Sequence, residues 1–76
     1  MEITHFITKL AEVFEIEDDR AIAPETIFKD IEGYSSIIAL SILAMADEEY
    51  NVKLKGDDIR NATTVAELFD IIKSRG

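Results

Sequence analysis

Apolar residues recur at helical spacing in three stretches of this 76-residue chain, and no run of period two persists. Ile3, Phe6, Ile7, Leu10, Val13 and Phe14 share one face at about 100° per residue, with Thr4, His5, Thr8, Lys9 and Glu12 opposite. This spacing predicts an amphipathic helix over residues 2–15. Thr64, with Glu67 three places on, has the form of a capping box, in which each side chain caps the other's backbone N–H. It predicts a last helix with Val65, Leu68, Phe69 and Ile72 as its apolar stripe, ending near Gly76. Alternation appears only at Val52-Lys53-Leu54, too short to found a sheet. The fold class expected is all-α.

Between Ile16 and Ser35 no helical period survives, and Glu17-Asp18-Asp19 and Pro24 punctuate the segment. Ile22, Ile27, Phe28 and Ile31 are spaced to pin it onto a core. A connection of about 20 residues exceeds the usual helix–helix loop, and such loops tend to be functional or disordered. The apolar pins favour function. Lys53 to Ala62 reads as a second connector anchored by Leu54 and Ile59, with a short helical turn from about Asp57.

Length leaves room for one modest core, so residues 1–76 are expected to form a single domain. Sixteen acidic residues against eight Lys and Arg give a formal net charge of -8. That balance repels nucleic-acid phosphates and anionic membranes and favours basic protein partners. Cysteine is absent, so thiol chemistry has to come from an attached group. The opening MEITHFITKL lacks the form of a signal peptide, and Ile37 to Ala46 is half the length of a membrane span. The expectation is a monomer in the cytoplasm. The acidic runs Glu17-Asp18-Asp19 and Asp57-Asp58 lack the alternating spacing of a Ca²⁺ loop, so no dedicated metal site is expected.

The segment Ser36 to Tyr50 is apolar on more than one side. Its charges are confined to Asp47, Glu48 and Glu49. Ala39, Ile42, Leu43, Ala46 and Tyr50 form the face assigned to the core. Ile37, Leu40 and Ala44 lie nearly opposite, beside Ser41 and Glu48. A helix apolar all round is normally buried all round. Two readings are open. The spare face is a docking strip of small apolar area rimmed by acids, or the Lys53–Ala62 segment covers it.

Ser35 and Ser36 stand where the long connector meets this helix, and either suits the N-cap. Neither lies in a G-x-S-x-G elbow, and the one histidine, His5, belongs to the polar face of the first helix. The hydroxyl is therefore a candidate for modification by another enzyme, not a nucleophile by its own means.

The run Gly33-Tyr34-Ser35-Ser36-Ile37-Ile38-Ala39-Leu40, continuing to Asp47-Glu48-Glu49-Tyr50, resembles the signature of the acyl carrier protein family. Val52-Lys53-Leu54 is similar to that family's anchor after the helix, and Thr63-Thr64-Val65 to its entry into the final helix. The likeness spans essentially the whole chain. It implies a four-helix bundle with three long helices, one short helix and a long first loop. It implies that Ser36 receives 4'-phosphopantetheine from coenzyme A, and that the arm carries acyl groups as thioesters for fatty-acid, polyketide or related acyl-chain biosynthesis. Such a chain is a carrier and not an enzyme. Its implied partners are a phosphopantetheinyl transferase and basic-patched acyltransferases, ketosynthases and reductases. Docking falls to Ser35, Ile37, Leu40, Ser41, Ala44, Asp47 and Glu48. Phe28, Leu43, Ala46, Leu54, Ile59, Leu68 and Ile72 match positions lining a space for a short acyl chain, and are otherwise simply core.

Departures from the family pattern are specific. Ser35 replaces the usual Asp, and Ile38 and Ser41 stand where many fatty-acid carriers have acids. A carrier dedicated to another acyl or polyketide pathway fits as well as a general fatty-acid carrier. The alternative is a carrier-like domain, never modified, that docks partners through the same helix.

Self-repulsion yields the first prediction. Moderate salt or Mg²⁺ is expected to raise the melting temperature by screening like charges, and a fall on adding salt contradicts it.

Overall fold

The computed structural model describes residues 2–75, so Met1 and Gly76 lie outside it. Four helices follow in order: α1 (Ile3–Phe14), α2 (Ser36–Tyr50), α3 (Gly56–Asn61) and α4 (Val65–Arg75). No strand is present among the described residues, and the fold is the all-α, carrier-like bundle expected. α1 packs on α2 and α4, and α3 packs on the same two helices.

One continuous core joins them. Phe6 and Leu10 of α1, Ile42 and Ala46 of α2, and Val65, Leu68 and Ile72 of α4 are fully enclosed. Ala11 and Met45 are buried as well, although neither belonged to the apolar stripes read from the sequence. Alanine is too small, and methionine too adaptable, to mark a face by spacing alone. Phe6 and Phe69 bring their ring centroids to 5.5 Å, which joins α1 to α4 directly.

Residues 15–35 form a structured connector, not a slack loop. It contains 3₁₀ turns at Asp19–Ala21 and Phe28–Asp30. Ile22 and Phe28 are buried and Ile31 packs against the core. Ile27 departs from expectation, being 43% exposed. Its backbone makes the contribution instead, bridging to Thr64. Just before that bridge the connector serves α4. The Thr26 carbonyl accepts from Val65 N–H at 2.9 Å, and the Pro24 carbonyl from Ala66 N–H at 2.8 Å. These are first-turn amides with no partner inside their own helix.

The capping box completes that end. Thr64 Oγ1 accepts from Glu67 N–H at 3.1 Å, while Glu67 Oε1 accepts from Thr64 N–H at 3.0 Å and Thr63 N–H at 2.8 Å. Those backbone donors, Thr64's first, hold the Glu67 carboxyl below its ordinary range.

At the other end of α4 an ion pair fixes α3. Arg75 Nη1 and Nη2 meet Asp58 Oδ2 and Oδ1 at 2.5 and 2.6 Å, a two-pronged contact. Asp58 Oδ2 also accepts from Lys55 N–H at 2.8 Å, capping α3. The Lys55 N–H bond and the Arg75 guanidinium lower the Asp58 carboxyl below its ordinary range against the opposing effect of burial. The short helix begins at Gly56, close to the turn expected from Asp57, and Leu54 and Ile59 anchor it as expected.

Two predictions rest on these contacts. Phe28→Ala is expected to destabilise the fold by about 3–5 kcal/mol, because it removes the side chain that seats the connector. A lowered denaturant midpoint measures this. Asp58→Asn is expected to lower the melting temperature at neutral pH. A lowered folded-state pKa contributes stability that is present above the unfolded value, about 3.9, and is lost as pH falls through the folded one. The gap between wild type and variant therefore narrows as pH drops below about 4. A gap that widens on acidification contradicts this assignment.

Candidate phosphopantetheine attachment site

The approach to α2 is set by a glycine. Gly33 has φ +95°, the left-handed region that favours glycine. A Cβ there would meet nothing within 4 Å, so the requirement is backbone conformation and not space. Tyr34 follows, half-buried, with its ring 6.4 Å from Phe14 and 6.1 Å from Phe28. It acts as the loop anchor and fixes where the next two residues emerge.

Of the two serines, Ser35 is the N-cap. Its backbone is extended, and its Oγ accepts from Ile38 N–H at 3.4 Å. Ser36 is then the first residue of the helix and is exposed. Division of labour between them is the point: one hydroxyl is engaged in capping, the other is directed to solvent. The helix dipole places partial positive charge beside Ser36, which favours an anion there. His5 cannot act on it. That ring lies 5.8 Å from Tyr50 at the far end of α2, about 21 Å along the helix from Ser36 at 1.5 Å per residue.

Next to Ser36 the structure has a groove of about 510 Å³. Ala39, Leu40 and Leu43 of α2 form one wall. Gly56, Ile59 and Arg60 of α3 form the other, and Lys29 and Tyr34 close the connector side. Of the residues matched by resemblance to an acyl-lining role, Leu43 and Ile59 face this groove. Phe28, Ala46, Leu54, Leu68 and Ile72 are packed in the core. Gly56 and Arg60 on the α3 wall were not singled out from the sequence, and nothing in local spacing marks them. Only the docking of α3 beside α2 brings them there.

The spare face of α2 is open to solvent. Ile37 is 74% and Leu40 64% exposed, and Ala44 and Glu48 are exposed too. The alternative of a covering element does not hold, because α3 stands across the groove from Ala39, Leu40 and Leu43 and leaves Ile37 and Leu40 exposed. Ser35 is exposed, while Ser41 and Asp47 are half-buried. The acids at the end of the helix differ in availability. Asp47 Oδ2 pairs with Lys53 Nζ at 3.0 Å. Glu49 lies 3.5 Å from His5 Nε2 and 3.9 Å from Lys9 Nζ. Glu48 has no such partner among the described residues. The Tyr50 hydroxyl is enclosed without a hydrogen bond among the described residues, and burial, with the Glu49 charge, pushes its pKa up.

The remaining acidic runs have local tasks. Asp18 accepts from Arg20 N–H and Nε–H, both at 3.0 Å, and Asp19 Oδ2 accepts from the Thr8 hydroxyl at 2.8 Å. Asp57 pairs with Arg60. Among the described residues no group of three His, Cys, Asp or Glu side chains is arranged to hold a metal ion. Likewise, no described helix is long and apolar enough to cross a membrane.

An exposed serine at a helix start, backed by a rigid helix and flanked by a groove, fits a phosphate-linked arm. The hydroxyl is accessible, and the adjoining helix end tolerates a phosphodiester. Neither the curated proteins nor the solved structures compared with the chain gives a match. The family model described as phosphopantetheine attachment site matches residues 5–72, nearly the whole chain. The chain belongs to the phosphopantetheine attachment family, whose domains are the attachment site of the 4'-phosphopantetheine prosthetic group and act as carriers for biosynthetic enzymes.

Proposed function

We propose that residues 1–76 are a single carrier domain that bears the arm on Ser36 and shuttles acyl groups as thioesters between enzymes of fatty-acid, polyketide or related acyl-chain synthesis. The observation that carries this reading is the pairing of Ser35 as cap with Ser36 as the exposed first residue of α2, in a chain of this family. A phosphopantetheinyl transferase joins the Ser36 oxygen to phosphorus as the pyrophosphate bond of coenzyme A breaks; adenosine 3',5'-bisphosphate leaves, and the transferase takes up the hydroxyl proton. The arm supplies the thiol that this cysteine-free chain lacks. What the chain contributes is presentation: a hydroxyl free of capping duty, a stiff helix behind it, and a tether that raises the effective concentration of cargo at each partner.

The docking surface in this reading is the strip of Ile37, Leu40 and Ala44, with Ser35 and Ser41 beside it and Glu48 and Asp47 at its far end. Partners with an apolar patch and basic residues match it, and the acids speed and orient encounter. Leu43 and Ile59, on the walls of the groove, are the best placed of the acyl-lining candidates. Phe28, Ala46, Leu54, Leu68 and Ile72 take part only through a widening of the core between the helices.

Incubation with coenzyme A and a phosphopantetheinyl transferase is expected to add the mass of one arm. Ser36→Ala abolishes the gain and Ser35→Ala keeps it. A wild-type chain left unmodified by several transferases favours the alternative of an interaction domain that docks through the same strip. A gain that survives Ser36→Ala overturns the assignment of the residue.

A further inference from the structure

Lys29 is the one groove cation left without a carboxylate. Among the described residues its side chain has no acidic partner within ion-pairing distance, although the chain carries sixteen Asp and Glu. Its ammonium donates one hydrogen bond, 2.9 Å long, to the Arg60 backbone carbonyl. It also lies 5.6 Å from the centre of the Phe28 ring. The side chain is half-buried and tied to α3 by the hydrogen bond to Arg60. An ammonium carries three N–H donors, so two remain for a ligand.

Location gives this charge its meaning. Lys29 and Ser36 line the same groove, and the surface around them is mainly apolar, with Ala39, Leu43 and Ile59. Arg60, the other cation there, is already paired with Asp57. An anion tethered to Ser36 joins a chain of net charge -8, whose overall charge opposes it. Lys29 is the uncommitted positive charge bordering its point of attachment. Next to an apolar wall, where water is partly excluded, such a contact is stronger than a surface pair in bulk solvent.

We infer that Lys29 is the counter-ion, supplied by this chain itself, for an anionic oxygen group carried on Ser36, and that it draws the root of the arm toward the α3 side of the groove. This rests on the reading of Ser36 as the attachment residue. Two sources supply the same chemistry: the phosphodiester that joins the arm, or a carboxylate at the end of the cargo. Enzymes that bind the arm's phosphate would then compete with Lys29 for it.

The test follows the lysine side-chain ¹⁵Nζ resonances in four states of the whole chain, each checked by intact mass. The states are unmodified, arm-bearing with a free thiol, acetyl-loaded and malonyl-loaded. Lys73, which does not line the groove, is the internal reference. A Lys29 shift on adding the arm alone, with Lys73 still, identifies the phosphodiester as the partner. A shift only in the malonyl form identifies the cargo carboxylate. Lys29 no more responsive than Lys73 in every loaded state overturns the inference. As a second readout, Lys29→Gln is expected to move the ³¹P resonance of the arm-bearing protein if the phosphodiester is the partner, with Lys73→Gln leaving it in place. A Lys29 ¹⁵Nζ response to the arm alone without any ³¹P response to Lys29→Gln overturns the phosphodiester assignment. The mass check separates the two layers. No mass gain removes the carrier reading and this inference together, whereas a gain with a silent Lys29 removes only the inference.

Discussion

The connector between α1 and α2 is held by main-chain hydrogen bonds to the start of α4, and the placement of the site depends on them. Pro24 and Thr26 give their carbonyls to Ala66 and Val65, and Phe28 drives into the core immediately afterwards. The exchange is mutual. A segment of extended chain finds partners for its own polar groups, and a helix gains acceptors for amides it cannot satisfy internally. Because this contact spans about 40 residues of sequence, it fixes where Lys29, Gly33, Tyr34 and the two serines arrive.

α2 has to satisfy two surfaces with one set of apolar side chains. Ile42, Met45 and Ala46 face the core, while Ile37 and Leu40 face solvent beside the serine. The exposed pair adds little to the core, and large apolar groups gathered in solvent suit the docking strip proposed above. The acids at its C-terminal end are also placed against local physics, since the helix dipole disfavours negative charge there. Lys53 and Lys9 offset this at Asp47 and Glu49. Glu48 keeps an unopposed charge among the described residues, at the far end of the apolar strip. The apolar patch near Ser36 is thus separated from the acid near Tyr50, which in the proposed function would orient a partner along the helix.

Much of the fold was legible because its determinants are local. The stripe of Ile3 to Phe14, the reciprocal caps of Thr64 and Glu67, and the apolar run of Ser36 to Tyr50 each specify a helix within about 15 residues. The serine pair marked the entrance to α2. The same local logic left Ser35 and Ser36 equivalent as caps, because the choice depends on which backbone turns extended. Ile27 was misplaced for a related reason. Spacing showed an apolar residue in a pinned segment, but the pin there is a backbone bridge to Thr64 and its side chain is 43% exposed.

By itself, then, the sequence determined the helical class, the order of the elements, the acidic character and the serine pair at the head of a two-faced helix. These follow from period, capping chemistry and charge, all of which act over a few residues. Tertiary structure alone decided which serine hydroxyl is left free of capping, that α3 stands across the groove from α2 and leaves Ile37 and Leu40 exposed, and that Lys29 and Arg60 border the groove at Ser36. Those outcomes depend on contacts between residues far apart in sequence, made only once the connector docks on α4 and Asp58 meets Arg75. No periodicity within one segment carries that information.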